Sequence, residues 1–193
     1  MEPPFPFHTI HIDHKQLAVS GGFGYILIVV CRLTRFTFAI PVKSTSSEDT
    51  LKALMTVFNL FGLPHYIYSD NASGFNSSLM EEFAKYAGLR AIRVLPNSPQ
   101  GNSPAEQGVR RVADLIHKHT RRHQEWHLTL GAITFALNTH VHTSTGTTPF
   151  EAVFGRRACL VPDLETPHLT RYTSSGSDFV KSLADNLSNA SRR

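Results

Sequence analysis

Residues 8–40 run HTIHIDHKQLAVSGGFGYILIVVCRLTRFTFAI, and this stretch decides the fold. His8-Thr9-Ile10-His11-Ile12-Asp13 alternates polar and apolar residues, as a strand with one wet face does, and places Asp13 at the strand's end. Gly21-Gly22-Phe23-Gly24 is a turn. Tyr25 to Val30 is an unbroken, β-branched run, the pattern of a central strand buried on both faces. Phe36 to Ile40 is a third strand, closed by Pro41. Three strands in such close succession predict an antiparallel meander.

The period then changes. Leu51, Leu54, Met55, Phe58 and Phe61 fall at helical spacing behind Ser46 and Asp49 in capping-box positions, with Gly62 and Pro64 as the stop. Tyr66-Ile67-Tyr68 is a short strand that ends at Asp70. Leu79, Met80, Phe83, Ala84 and Ala87 mark a second helix that stops at Gly88, and Ala91 to Leu95 a fifth strand. A polar loop over Pro96 to Ser103 leads to a third helix with Pro104 at its first position and Val109, Val112, Ala113 and Ile116 as its buried stripe. A fourth helix covers Trp126 to Leu137, a short one opens at Thr148-Pro149-Phe150, and Phe179, Leu183 and Leu187 suggest a last amphipathic helix. The expected division is a core over 1–157 and an extension over 158–193. Its element order predicts an α/β, ribonuclease H-like fold: a five-stranded mixed sheet flanked by helices.

Composition narrows the class. Of 193 residues, 41% are hydrophobic and 18% charged, which suits a packed domain rather than a disordered chain. Two cysteines, Cys31 and Cys159, predict neither a disulfide framework nor a cysteine-rich zinc site, and fit a reducing compartment. The longest apolar run is too short for a bilayer, and the first residues lack the pattern of a secretory signal, so no membrane association is expected. The formal charge of +4 is compatible with a polyanionic partner without singling one out.

Three acids carry the chemistry. Asp13 and Asp70 end strands one and four, and Glu106 starts helix three. If the two strands are neighbours, their ends bring both aspartates together and the helix start leans Glu106 over them. Convergent carboxylates supply the oxygen ligands and negative charge that hard divalent cations need, with positions left for a substrate phosphate. Singly, each acid has an ordinary reading. Asp70-Asn71 suits a turn, and Ser103-x-x-Glu106 suits a capping box.

The joint pattern overturns those ordinary readings. Fifty-six residues separate Asp13 from Asp70 and 35 separate Asp70 from Glu106, which resembles the D,D-35-E signature of retroviral and retrotransposon integrases. His11-Ile12-Asp13, Phe61-Gly62-Leu63-Pro64, Ser69-Asp70-Asn71 and Ser98 to Glu106 are similar to that family's motifs. Thr145 to Glu151 and Phe154-Gly155-Arg156 resemble the segment that closes the core in Ty3/gypsy-type elements. The resemblance covers about residues 5–157. Three positions depart from it: Ala72 stands where glycine is usual, Cys31 where an acid or similar polar residue often ends strand two, and Gln107 where Arg or Ser commonly follows the glutamate.

The resemblance implies an integrase catalytic core, a polynucleotidyl transferase that uses Mg²⁺ or Mn²⁺ held by Asp13, Asp70 and Glu106 for DNA 3′-end processing and strand transfer. It further implies DNA as partner, a homo-oligomer (a dimer, or more on DNA), possible tethering to chromatin and a nuclear site of action. Ser98, Gln100 and Asn102 in the loop, and Arg110, Arg111, Lys118 and Arg121 on helix three, are the expected DNA contacts; by charge alone that helix face could equally be solvated. His119, His123 and His127 recur every fourth residue, but solvated histidines are the expectation there rather than zinc ligands. The flanking zinc-binding and C-terminal DNA-binding domains usual in integrases are not visible. Two rivals remain open: a domesticated core serving as a DNA-binding or protein-interaction module, and a ribonuclease H-like nuclease acting on RNA.

Overall fold

A computed structural model describes residues 3–69, 77–93, 103–119 and 126–160. Five strands, β1 (Thr9–Ser20), β2 (Phe23–Cys31), β3 (Thr37–Val42), β4 (Tyr66–Ser69) and β5 (Arg90–Arg93), form one mixed sheet in the order β3-β2-β1-β4-β5. The β1-β2-β3 meander is antiparallel, whereas β4 pairs with β1, and β5 with β4, in parallel. The helices are α1 (Ser47–Phe61), α2 (Ser78–Ala87), α3 (Ser103–His119), α4 (Trp126–Thr139) and α5 (Pro149–Phe154). Among the described residues, no helix is long and apolar enough to cross a membrane. The last helix expected from Phe179 lies outside the described residues.

The unbroken apolar run of β2 is explained by two cores. Leu27, Val29 and Cys31 enter one core with Leu54, Val57 and Phe58 of α1 and Met80 of α2. Ile26, Ile28 and Val30 enter another with Val112 and Ile116 of α3 and Trp126, Leu130 and Ile133 of α4. Alternate side chains of one strand thus face opposite layers, and neither face can be polar. Burying each such side chain contributes roughly 1.5–3 kcal/mol. At one end of the first core, Phe7 stacks on Phe61 at 3.9 Å, with Phe36 in edge contact.

Two strand ends differ from expectation. Strand β1 does not stop at Asp13; it continues to Ser20, paired with β2 down to a turn at Gly21 and Gly22. Its outer half, with Lys15, Gln16, Ala18 and Val19 exposed, belongs to a hairpin that projects past β4. Near Asp13 the described pairing with β4 reaches its last partners, Ile12 and Ser69. Strand β3 includes Pro41 because it is the sheet's edge, where a missing N–H leaves no ladder bond unmade.

Local signals hold the helices where they were expected. Ser46, Ser77 and Thr148 cap α1, α2 and α5 by accepting the N–H of Asp49, Met80 and Glu151. The capping box of α1 is only half formed: the Asp49 carboxylate accepts from Ser44 N–H and Oγ instead of reaching back to Ser46.

Candidate active site

Asp13 lies in β1 directly across from Ile28 of β2. Cross-strand partners share a face, and Ile28 belongs to the core under α3 and α4, so Asp13 is on the α3 side of the sheet. It is half-buried, and its Oδ1 accepts the His14 N–H at 2.7 Å. In the parallel register Ile12 faces Ser69; the residues that follow them are Asp13 and Asp70. Asp70 itself lies outside the described residues.

Glu106 is exposed in the first turn of α3. Two residues on, Gly108 seats the helix on β2. A Cβ built on Gly108 would fall 2.8 Å from Val30 Cγ2 and 3.2 Å from Ile28 Cγ2, closer than side chains pack. The absent side chain lets the backbone of α3 approach β2 between Val30 and Ile28, the cross-strand partners of His11 and Asp13. Two of the three expected acids therefore belong to elements that pack together on one face of the sheet. Gly108 was missed in the sequence, where a lone glycine in a helical pattern reads only as a modest penalty.

Of the expected DNA contacts, Arg110, Arg111 and Lys118 are exposed on α3. Ser98, Gln100, Asn102 and Arg121 lie outside the described residues, as do Ala72 and His123. His127 is engaged elsewhere: its Nδ1 is 2.7 Å from Ser20 Oγ, and its ring packs where a side chain on Gly21 would stand. Together with the bond from Trp126 Nε1 to Ala18 O at 2.7 Å, this fastens the start of α4 to the β1–β2 hairpin. No three metal-ligating side chains gather among the described residues, a set that excludes Asp70.

A family model, described as integrase core domain, matches residues 3–99, half of the chain. The chain belongs to the integrase core domain family. It is 33% identical over 161 residues to the Pro-Pol polyprotein of feline foamy virus, covering 80% of this chain and 14% of that polyprotein. It is 28% identical over 164 residues to the Gypsy retrotransposon integrase-like protein 1 of Rattus norvegicus, covering 84% of this chain and 29% of that protein. The chain thus spans less than a third of either relative. Among solved structures, the HTLV-2 integrase catalytic core domain in complex with magnesium (trimeric form) matches with a TM-score of 0.65 at 17% identity, over 78% of this chain and 99% of that one. The fold is the ribonuclease H-like fold of integrase cores, as the element order predicted.

Proposed function

We propose that this integrase core is a metal-dependent polynucleotidyl transferase that trims DNA 3′ ends and joins them to a second DNA, with Asp13, Asp70 and Glu106 as its metal-holding carboxylates. The observation that carries this reading is the seating of α3: two residues after Glu106, Gly108 packs on Val30 and Ile28, and Ile28 is the cross-strand partner of Asp13. The register of Ile12 with Ser69 supports Asp70 as the third acid.

The donor set suits a hard divalent cation. Asp13 and Glu106 offer carboxylate oxygen, the ligand that Mg²⁺ and Mn²⁺ prefer. The HTLV-2 integrase core is described in complex with magnesium, and Mg²⁺ or Mn²⁺ is the ion assigned here. Bound cations would activate the attacking water or 3′-hydroxyl and neutralise charge on the leaving oxygen. The protein's own part is positional. Sheet and helix carry Asp13 and Glu106 on separate elements, which limits how far the two carboxylates must be organised when DNA arrives. No side-chain nucleophile is needed. The reading includes DNA as partner, self-association, a nuclear site of action and a chromatin tether.

The test is strand transfer and hairpin-substrate disintegration by the full chain with Mn²⁺. Asp13→Asn, Asp70→Asn and Glu106→Gln should each abolish both activities while duplex binding persists. Full activity in Asp70→Asn would sink the assignment. Metal-independent binding with no turnover by the wild type would favour a DNA-binding module, and cleavage confined to RNA a ribonuclease.

A further inference from the structure

The turn between β2 and β3 holds a feature that the carboxylates leave unexplained. Arg35 sits at φ 64°, a left-handed conformation that side chains rarely adopt. Its backbone is locked there: the N–H donates to Cys31 O at 2.9 Å, and the carbonyl accepts from Thr37 Oγ1 at 3.1 Å. Strain of this kind persists where surrounding structure imposes it, and often where a side chain must be aimed.

What Arg35 faces suggests the reason. Arg35, Arg111 of α3 and His142 from the segment after α4 line one small cavity, with Thr37, Gln107 and Gly108 completing the wall. The three come from distant parts of the chain, and each is anchored. Gly108 sets α3 against β2. Asn138, four residues before His142, is hydrogen-bonded to Thr37, two residues after Arg35. The His142 N–H donates to Thr147 O at 3.0 Å. His142 Nδ1 lies 3.3 Å from the Ser144 N and 2.9 Å from its Oγ, and when Nδ1 accepts there, Nε2 carries the proton and is the donor.

Among the described residues, no carboxylate is ion-paired with Arg35 or Arg111; the ion pairs there are Lys52–Glu48 and Arg93–Glu81. Burial, and then the neighbouring Arg32 and Arg111, hold the Arg35 guanidinium below its ordinary range, with Cys31 opposing. Burial, then Arg111 and Arg35, lower His142. Two guanidiniums and an imidazole, brought together around one cavity at a cost, match the donors of a tetrahedral oxyanion.

We propose that Arg35, Arg111 and His142 form a phosphate pocket that holds one phosphodiester of a nucleic-acid strand lying along α3. This rests on the DNA substrate proposed above and places it. Arg111 follows Glu106 by five residues, a rise of roughly 7.5 Å, which is about two nucleotide steps at roughly 3.4 Å each along a duplex strand. The pocket thus fixes the strand's register a short distance from the reacting phosphate.

Binding of a labelled duplex to the full chain, measured against salt concentration with EDTA present, tests this apart from catalysis. Arg35→Gly suits the test because glycine accepts φ 64° without strain and the fold is kept; Arg111→Gln is a second probe on an exposed helix face. Each should weaken binding roughly tenfold and lower the log–log salt slope by roughly 0.9. Inorganic phosphate should shift the His142 ring resonances in wild type and leave them unmoved in Arg35→Gly. Wild-type slopes in both variants overturn the proposal. A phosphate shift with unchanged DNA slopes also overturns it, because the pocket then takes a free anion only. Asp13→Asn should keep the wild-type slope, so failure of the metal assignment leaves this result readable by itself.

Discussion

Asn138 binds Thr37 twice: its Oδ1 accepts the Thr37 N–H at 2.8 Å, and its Nδ2 donates to the Thr37 carbonyl at 2.8 Å. One amide side chain from α4 acts as the strand neighbour that the start of edge strand β3 lacks. Both residues are buried, so water cannot replace either bond. Asn138→Ala should cost about 2–4 kcal/mol, because two backbone groups are left unpaired at once. Asn138→Asp should be comparably harmful, since it keeps the acceptor, loses the donor and buries a charge. Urea denaturation checks both; a loss under about 0.5 kcal/mol, the ordinary surface range, would show that other contacts hold β3.

Gly108→Ala sets two effects against each other. Alanine is favoured over glycine in a helix interior by about 1 kcal/mol, yet its methyl would stand 2.8 Å from Val30 Cγ2. Overpacking a filled core costs about 1–3 kcal/mol, so net destabilisation is expected together with a larger loss of strand transfer, as Glu106 is carried away from Asp13. Val30→Ala should partly restore both in the double variant. Additive losses, measured as a double-mutant cycle, would mean that the contact does not set the helix position.

Stability should fall as the solution is acidified from pH 7.5 to 5.5. His142 is held below its ordinary value by burial and then Arg111 and Arg35, and His8 by burial and then His65. The unfolded chain takes up these protons near pH 6.5, while the folded chain resists until lower pH. More protons are bound in the unfolded state across that window, so folding weakens as pH drops through it and is fully supported above it. Thermal melts at several pH values check this. His142→Gln should flatten the dependence between pH 6.5 and 5.5, and an unchanged slope would exclude His142 as a contributor.

Manganese should raise the melting temperature of the wild-type chain through preferential binding to the folded state. The rise should shrink in Asp13→Asn and in Asp70→Asn, each of which removes a charged oxygen ligand, and persist in Arg35→Gly. Equal shifts in all four proteins would place the metal elsewhere.

The Ser20–His127 contact predicts that His127→Ala loosens the β1–β2 hairpin without touching the candidate active site. Amide exchange in residues 15–20 should quicken, by a factor set by the lost bond of about 1 kcal/mol, while exchange in β4 stays as in wild type. Uniform acceleration would instead mean global destabilisation.

Much of this protein is legible without coordinates because its signals are local. Alternation in residues 8–13, the doubly apolar run of β2, the serine and threonine caps and the glycine stops each involve residues a few positions apart, and propensity and capping act over that range. The spacing of the acids and the motifs around them pointed to an integrase core, and the match over residues 3–99 bears out the family. Tertiary structure alone decided the rest. Asp13 lies within a long strand, one residue past its described pairing with β4, rather than at the strand's end. Gly108 matters because Val30 and Ile28, some 80 positions away in sequence, lie beneath it. Asn138 is an ordinary helical polar residue until β3 presents an unpaired edge, and Arg35, Arg111 and His142 are scattered charges until three elements close around one cavity. Such contacts leave no periodic trace in the sequence, because close packing, cross-strand register and low-dielectric electrostatics act between groups that only the fold brings together.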